Sequence, residues 1–402
     1  MDTPATTTKP SLWGKIAAIS IVAIVAFTLI SQRRALTGFV RNWEDFSDGS
    51  PVAKQLRDVN DVVQYILLHR DDVSLVVYDV GDEANGVYLN ADRPRPLGAS
   101  VTLQLLAAYA ARAQRGALQA DEPVSVDEWE RFYLPRTDGG AHDYALSTLQ
   151  AQGGGAGGRA PLDELVHAMM RYSDNSAADY LMWRIGREQL AALPAELGMP
   201  QEEAPLPFAG QFLSWQNSQL RDTPATLLKR YQGMGSERYR GHVWSLFQQL
   251  HDAPGRSAAE KARLEEDGLT LRLREQAELG RTLGVRGRAA AYAGLMARIE
   301  RGELAGADRA REALSWPLQN PEISKQFDQI GTKGGSLPGL LTSVYYAKAK
   351  GHERTRVLAL FLERLPIAVW LHLMQSFVHQ KLELKLLTDD AFLARMRELV
   401  AN

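Results

Sequence analysis

The sequence predicts an α+β protein, with one antiparallel sheet built from strands at both ends of a domain and a separate helical lobe between them. Three observations predict it. A β-branched apolar run, Val73 to Val80 (VSLVVYDV), stands early in the chain. Strand-like apolar runs return only late, at Gln326 to Thr332, Leu340 to Lys348 and Arg356 to Glu363. Between them, from Thr223 to about Leu314, the chain is rich in Ala, Arg, Glu and Leu and reads as helical. Strands remote in sequence can pair in one sheet. The intervening helices then stand beside it and leave a cleft.

The N-terminus is set apart. Ile16 to Ile30 is uncharged and apolar, with Lys9 and Lys15 before it and Arg33 and Arg34 after it. A membrane span needs about 20 apolar residues, and Leu12 to Gly14 lengthen this run if Lys15 snorkels. A cleaved signal peptide has the same layout, but no A-x-A-like site follows Ile30 and no Cys offers a lipid anchor. The reading is therefore a polar tail over 1–11, an anchor over 12–31, a juxtamembrane linker over 32–55 and one domain over 56–402. Flanking charge is nearly even and orients the span poorly.

Within the domain, Val73 to Val80 is a buried strand, Gly81 to Gly86 a turn, and Val87 to Leu89 a returning strand. A helix follows over Ser100 to Gln114, with Leu103, Leu106, Ala107 and Ala110 at helical spacing and Gly116 as its stop. Gln152 to Gly158 is a glycine-rich loop. No Gly-Lys-Ser/Thr follows it, so it is not a phosphate loop. Pro161 opens a helix to about Tyr172, with Asp163 and Glu164 in its first turn. Asn175 can cap the next, which ends near Gly186. Ala391 to Val400 closes the chain as a helix, and Val357 to Met374 is too interrupted by Glu363, Arg364 and Pro366 to be a second span.

Composition narrows the function. The chain has 402 residues, 45% hydrophobic, with a formal net charge of −2. That balance gives no electrostatic case for a nucleic-acid partner. There is no cysteine, which excludes disulfides, zinc–thiolate sites and thiol catalysis. The eight His are scattered without a metal-ligand spacing, and no motif calls for a cofactor. His142, after Asp138, reads as a structural residue near the cleft.

Three segments could carry chemistry together: Arg95-Pro-Leu-Gly-Ala-Ser-Val-Thr at a helix start, Ser173-Asp174-Asn175 between two helices, and Gly331-Thr-Lys-Gly-Gly-Ser336 on a strand. The last two resemble the S-D-N and K-T-G motifs of class A β-lactamases and penicillin-binding proteins, whose nucleophile lies in S-x-x-K. The chain order matches too, and the resemblance runs from about Val73 to the C-terminus. It is closest to the "serine hydrolase" branch of the β-lactamase enzyme family, through Trp129 to Pro135, Thr137 to His142 and Lys333 to Gly339. It implies a β-lactamase/transpeptidase-like fold. In such a site Ser173 would relay protons, and Asn175 would hold substrate. Lys333 would bind a substrate carboxylate, beside Gly334, Gly335 and Ser336 on the ligand-binding strand. It also implies a peptidoglycan peptide or β-lactam-like ligand, and a domain on the extracytoplasmic side of a bacterial inner membrane.

The first motif departs from the family. Aligned on Pro96-Leu97 and Ala107 to Ala110, the nucleophile slot holds Ala99 and the lysine slot Thr102. Shifting by one offers Ser100, but Leu103 then holds the lysine slot. A serine hydroxyl is a weak nucleophile without a neighbouring base, and residues i and i+3 share a helix face. Ser100 lies about 100° further round the helix than Ala99, and its ordinary role there is an N-cap. Class A enzymes also place a glutamate on a loop after the S-D-N helices. Here Glu202 and Glu203 are the nearest carboxylates, and their spacing does not match. The expectation is a degenerate relative that binds without acylation; the alternative is a divergent serine hydrolase acting through Ser100.

Overall fold

The computed structural model describes residues 42–151, 158–216, 222–269 and 271–401. A five-stranded antiparallel sheet is its centre, made from β1 (Val73–Asp79), β2 (Asp82–Leu89), β3 (Phe327–Leu337), β4 (Leu340–Ala349) and β5 (Arg356–Leu362). Their spatial order is β2-β1-β5-β4-β3. The early and late strands therefore meet at the middle, where Val73 pairs with Leu362 and Asp79 with Arg356. β1 and β5 are buried on both faces, which is why their sequences run apolar without alternation.

Each face of the sheet carries its own core. Leu75, Val77, Leu358 and Leu360 pack against Val62 and Ile66 of α1 (Val59–Leu68) and against the C-terminal helices through Leu382, Leu386 and Met396. Val76, Val357, Ala359 and Phe361 face the helical lobe, together with Tyr292 and Met296 of the helix Ala289–Glu300. The protein is thus an α+β sandwich of terminal helices, sheet and helical lobe. The middle of the chain is helical as expected.

The differences from expectation are local. The first hairpin turns at Val80 and Gly81, the latter at φ +84°, and β2 begins at once with Asp82. The run expected as a turn is an exposed strand segment, whose polar residues give no apolar alternation. β3 extends through Leu337, so the Lys-Gly-Gly segment lies within a strand. The presumed linker is partly folded: Trp43–Ser47 and Ser50–Ala53 are short helices. Buried Asp45 pins them, accepting the Arg274 N–H and pairing with Arg272. The segment expected as an anchor, 12–31, and most of the glycine loop lie outside the described residues. Among those described, no helix is long and apolar enough to cross a membrane.

One buried cluster ties the sheet to the site. Arg95, fully buried, donates to Glu363 at 2.5 Å, to the Ser74 hydroxyl, and to the Asp71 and Val73 carbonyls. A guanidinium has five donors, and four of them are engaged here. They fix where the chain leaves the sheet for the first helix of the lobe.

Candidate functional site

A cavity of about 870 Å³ opens between the lobe and the edge strand β3. The helix start enters it first. Gly98–Val101 forms a 3₁₀ turn that leads into α2 (Thr102–Gln114). Leu97 fixes that turn, its N–H bonded to the Val285 carbonyl and its own carbonyl receiving the Thr342 hydroxyl at 2.8 Å. Ala99 lines the cavity. Ser100 does not: it is fully buried, and its Oγ lies 2.8 Å from Thr342 Oγ1 on β4. Thr102 is also buried and donates to the Ala99 carbonyl at 2.7 Å, a local bond within the turn. Ser100 makes no N-cap bond of the kind expected, because the 3₁₀ turn precedes the α-helix.

The second segment joins α3 (Leu162–Arg171) to α4 (Asn175–Ile185). The cap of α4 is Asp174, not Asn175: its carboxylate accepts the N–H groups of Ser176 and Ala177. Its other oxygen meets His142 Nδ1 at 3.0 Å, both groups buried. His142 is stacked on Tyr133 and lies edge-on to Trp129, so it braces the wall behind the cleft. Ser173, held at φ +63°, and Asn175 both line the cavity.

The third segment completes the convergence. Lys333 is 1% exposed, and its Nζ donates to Ser173 Oγ at 2.5 Å and to the Gly334 carbonyl at 2.6 Å. Burial alone pushes this ammonium down to about 7, with no carboxylate beside it to hold the proton. Gly335 lies directly under the helix start, where an added Cβ would sit 2.5 Å from the Leu97 carbonyl oxygen and 2.7 Å from the Ala99 nitrogen. Gly334 lines the cavity, and the Ser336 hydroxyl accepts from Trp370 Nε1 at 2.9 Å.

The loop residues Thr137, Asp138 and Gly139 form the opposite wall. Burial holds the Asp138 carboxyl above the usual carboxylate range, although it accepts the Gly140 and His142 N–H groups. Glu202 and Glu203 are not in the cavity wall. Glu202 accepts the Arg288 N–H and Nε, and Glu203 the Arg286 N–H. Both pin the β-bridge that Arg286 and Gly287 make beneath the helix start. Among the described residues no cluster of His, Asp or Glu is arranged to hold a metal. The partner that sequence reasoning missed is Thr342, which reads as an ordinary strand threonine.

Three segments far apart in sequence thus meet at one cleft, in the arrangement of a β-lactamase-like scaffold. The chain belongs to the β-lactamase enzyme family, whose model matches residues 52–360. No curated protein matches it. Solved structures similar to it include a β-lactamase from Sphaerobacter thermophilus, 14% identical over 80% of this chain and 95% of the other, at a TM-score of 0.48. A β-lactamase from Xanthomonas campestris pv. campestris is 14% identical over 85% and 97%, at a TM-score of 0.47. The penicillin-binding protein PBP-A is 13% identical over 81% and 96%, at 0.44.

Proposed function

We propose that this chain no longer acylates at its helix start and that its cleft binds a cell-wall peptide or a similar carboxylate-bearing ligand. One observation carries the reading: the positions that would supply the family's Ser and Lys offer no nucleophile to the cavity. Ala99 faces it without a hydroxyl. The neighbouring hydroxyls are engaged elsewhere, Ser100 with Thr342 and Thr102 with the Ala99 carbonyl. Lys333 serves Ser173, not Ser100.

Binding, by contrast, keeps its supports. A protonated Lys333, behind Ser173, would attract a ligand carboxylate, and Asn175 lines the cavity beside Ser173. β3 ends the sheet, so its outer edge can accept an extended ligand backbone by strand addition. The second reading, a hydrolase acting through Ser100, requires that serine to leave Thr342 and turn into the cavity; no observation favours it. We also read residues 12–31 as a single anchor that holds the domain outside a bacterial inner membrane, supported by the sequence pattern. Removal of residues 1–41 should move the protein from the membrane to the soluble fraction.

Covalent labelling with a fluorescent penicillin, read by gel and intact mass, tests the reading at the helix start. The native chain, Ser100→Ala and the double change Ala99→Ser with Thr102→Lys are compared. Helix-start labelling should appear only in the double change. A native label that Ser100→Ala abolishes overturns the proposal.

A further inference from the structure

Most hydroxyls of the cavity wall have protein partners, and the partners differ in kind. Thr137 donates to the Leu134 carbonyl, Thr332 to the Val344 carbonyl and Thr342 to the Leu97 carbonyl. Ser336 takes the Trp370 indole, and Ser343 serves the Glu383 carboxylate. Among these, Ser173 alone sits against a basic nitrogen, 2.5 Å from Lys333 Nζ. It is also a non-glycine residue in the left-handed region. That conformation is strained for a residue with a Cβ and clusters at functional positions. The strained nucleophile turn of the α/β-hydrolases exposes a serine in a comparable way.

We propose that Ser173 and Lys333 form a serine–lysine dyad in which Ser173 is the nucleophile for acyl transfer from an ester. The inference goes beyond the binding role proposed for the cleft. Lys333, as the free amine, takes the Ser173 hydroxyl proton while Oγ bonds to the acyl carbon. The bond from that carbon to the ester oxygen then breaks, and Lys333 returns the proton to the leaving alcohol. Water attacks the acyl-serine with Lys333 again as base, releasing the acid and restoring the Ser173 hydroxyl. Asn175, on the same wall, supplies an amide donor for the developing oxyanion. The apolar wall of Phe208, Phe212 and Trp215 selects an ester with a modest apolar acyl group.

The surroundings suit a base. A buried amine with no ion-pair partner is readily deprotonated near neutral pH. The charged and titratable groups around the cleft include Asp138 on the loop, Asp174 at the cap of α4, Arg136, Arg171, Tyr172, Tyr345 and His379 on the wall, and Glu383 behind Tyr345. The polar contacts of the lysine are Ser173 and the Gly334 carbonyl, and burial is the one cause of its shift to about 7.

The test is labelling of the full chain with an alkyl fluorophosphonate, followed by intact mass and peptide mapping. The expected result is one adduct, on Ser173, forming faster as pH rises through about 7, and lost in Ser173→Gly and Lys333→Met. Glycine accepts the positive φ, so Ser173→Gly keeps the fold, and thermal melting checks that it does. No adduct, an adduct on another residue, or a label that survives in melting-competent Ser173→Gly overturns the dyad. An adduct abolished by Ser100→Ala would overturn the helix-start reading as well, so the two proposals fail separately.

Discussion

Ser100 Oγ lies 2.8 Å from Thr342 Oγ1, and through this pair the first helix of the lobe is fastened to the second strand of the sheet edge. Thr342 donates its one proton to the Leu97 carbonyl, so Ser100 is the donor to Thr342. The short chain of bonds holds Ala99 in place at the cavity.

That direction predicts unequal costs. Ser100→Ala removes a donor and leaves Thr342 still bonded to Leu97. It should cost about 1 kcal/mol in urea unfolding, with ligand affinity unchanged. Thr342→Val strands both the Ser100 hydroxyl and the Leu97 carbonyl. It should cost about 1–3 kcal/mol and weaken binding as the turn loosens.

The buried Lys333 ammonium should weaken the fold at neutral pH. Its folded value, about 7, lies below the ordinary lysine value of 10.5. Between these values the unfolded chain binds more protons, so stability rises with pH across that window. Lys333→Met should therefore be more stable than the native chain at pH 7, by on the order of a few kcal/mol. The gap should close as pH approaches the upper value. Thermal melts of both proteins from pH 6 to pH 10 measure it; a gap that does not narrow contradicts the assignment.

Two adjacent glycines should respond differently. Gly335→Ala would drive a Cβ to 2.6 Å from Thr342 Oγ1 and onto the Leu97 and Ala99 backbone. The helix start must then move, with a loss of roughly 1–3 kcal/mol and of ligand binding. At Gly334 the nearest atom is the Thr342 carbonyl oxygen at 3.5 Å, an ordinary contact. Gly334→Ala should fold normally. Melting and binding titrations of the two variants check this.

Much of this was legible in the sequence. β1 and β5 announce themselves as unbroken apolar runs, and Ser173, Asn175 and Lys333 are found by motif, because those side chains act where the chain places them. The first half of β2, Asp82 to Gly86, and the two short helices after Asn42 were not legible, since their polar residues carry no periodic signal. Asp174 rather than Asn175 caps α4 because its carboxylate reaches two N–H groups at once. The fate of Ser100 was the hardest part. Whether a serine at a helix start points to solvent, to its own helix or to a strand depends on the turn before it. Here a 3₁₀ turn swings it onto Thr342, a residue 242 positions away.

The pairing of β1 with β5 sets a timetable for the newly made chain. β1 leaves the ribosome early, but its central-sheet partner ends at Leu362. Until then β1 has only the β2 hairpin, and the sheet has no middle. The helical lobe emerges inside an unfinished frame, and Arg95 waits for Glu363. Contacts so distant in sequence form slowly. A chain cut short anywhere before β5 therefore lacks the strand that joins its two hairpins and the terminal helices that cover the sheet, and has no completed sheet to border the cleft.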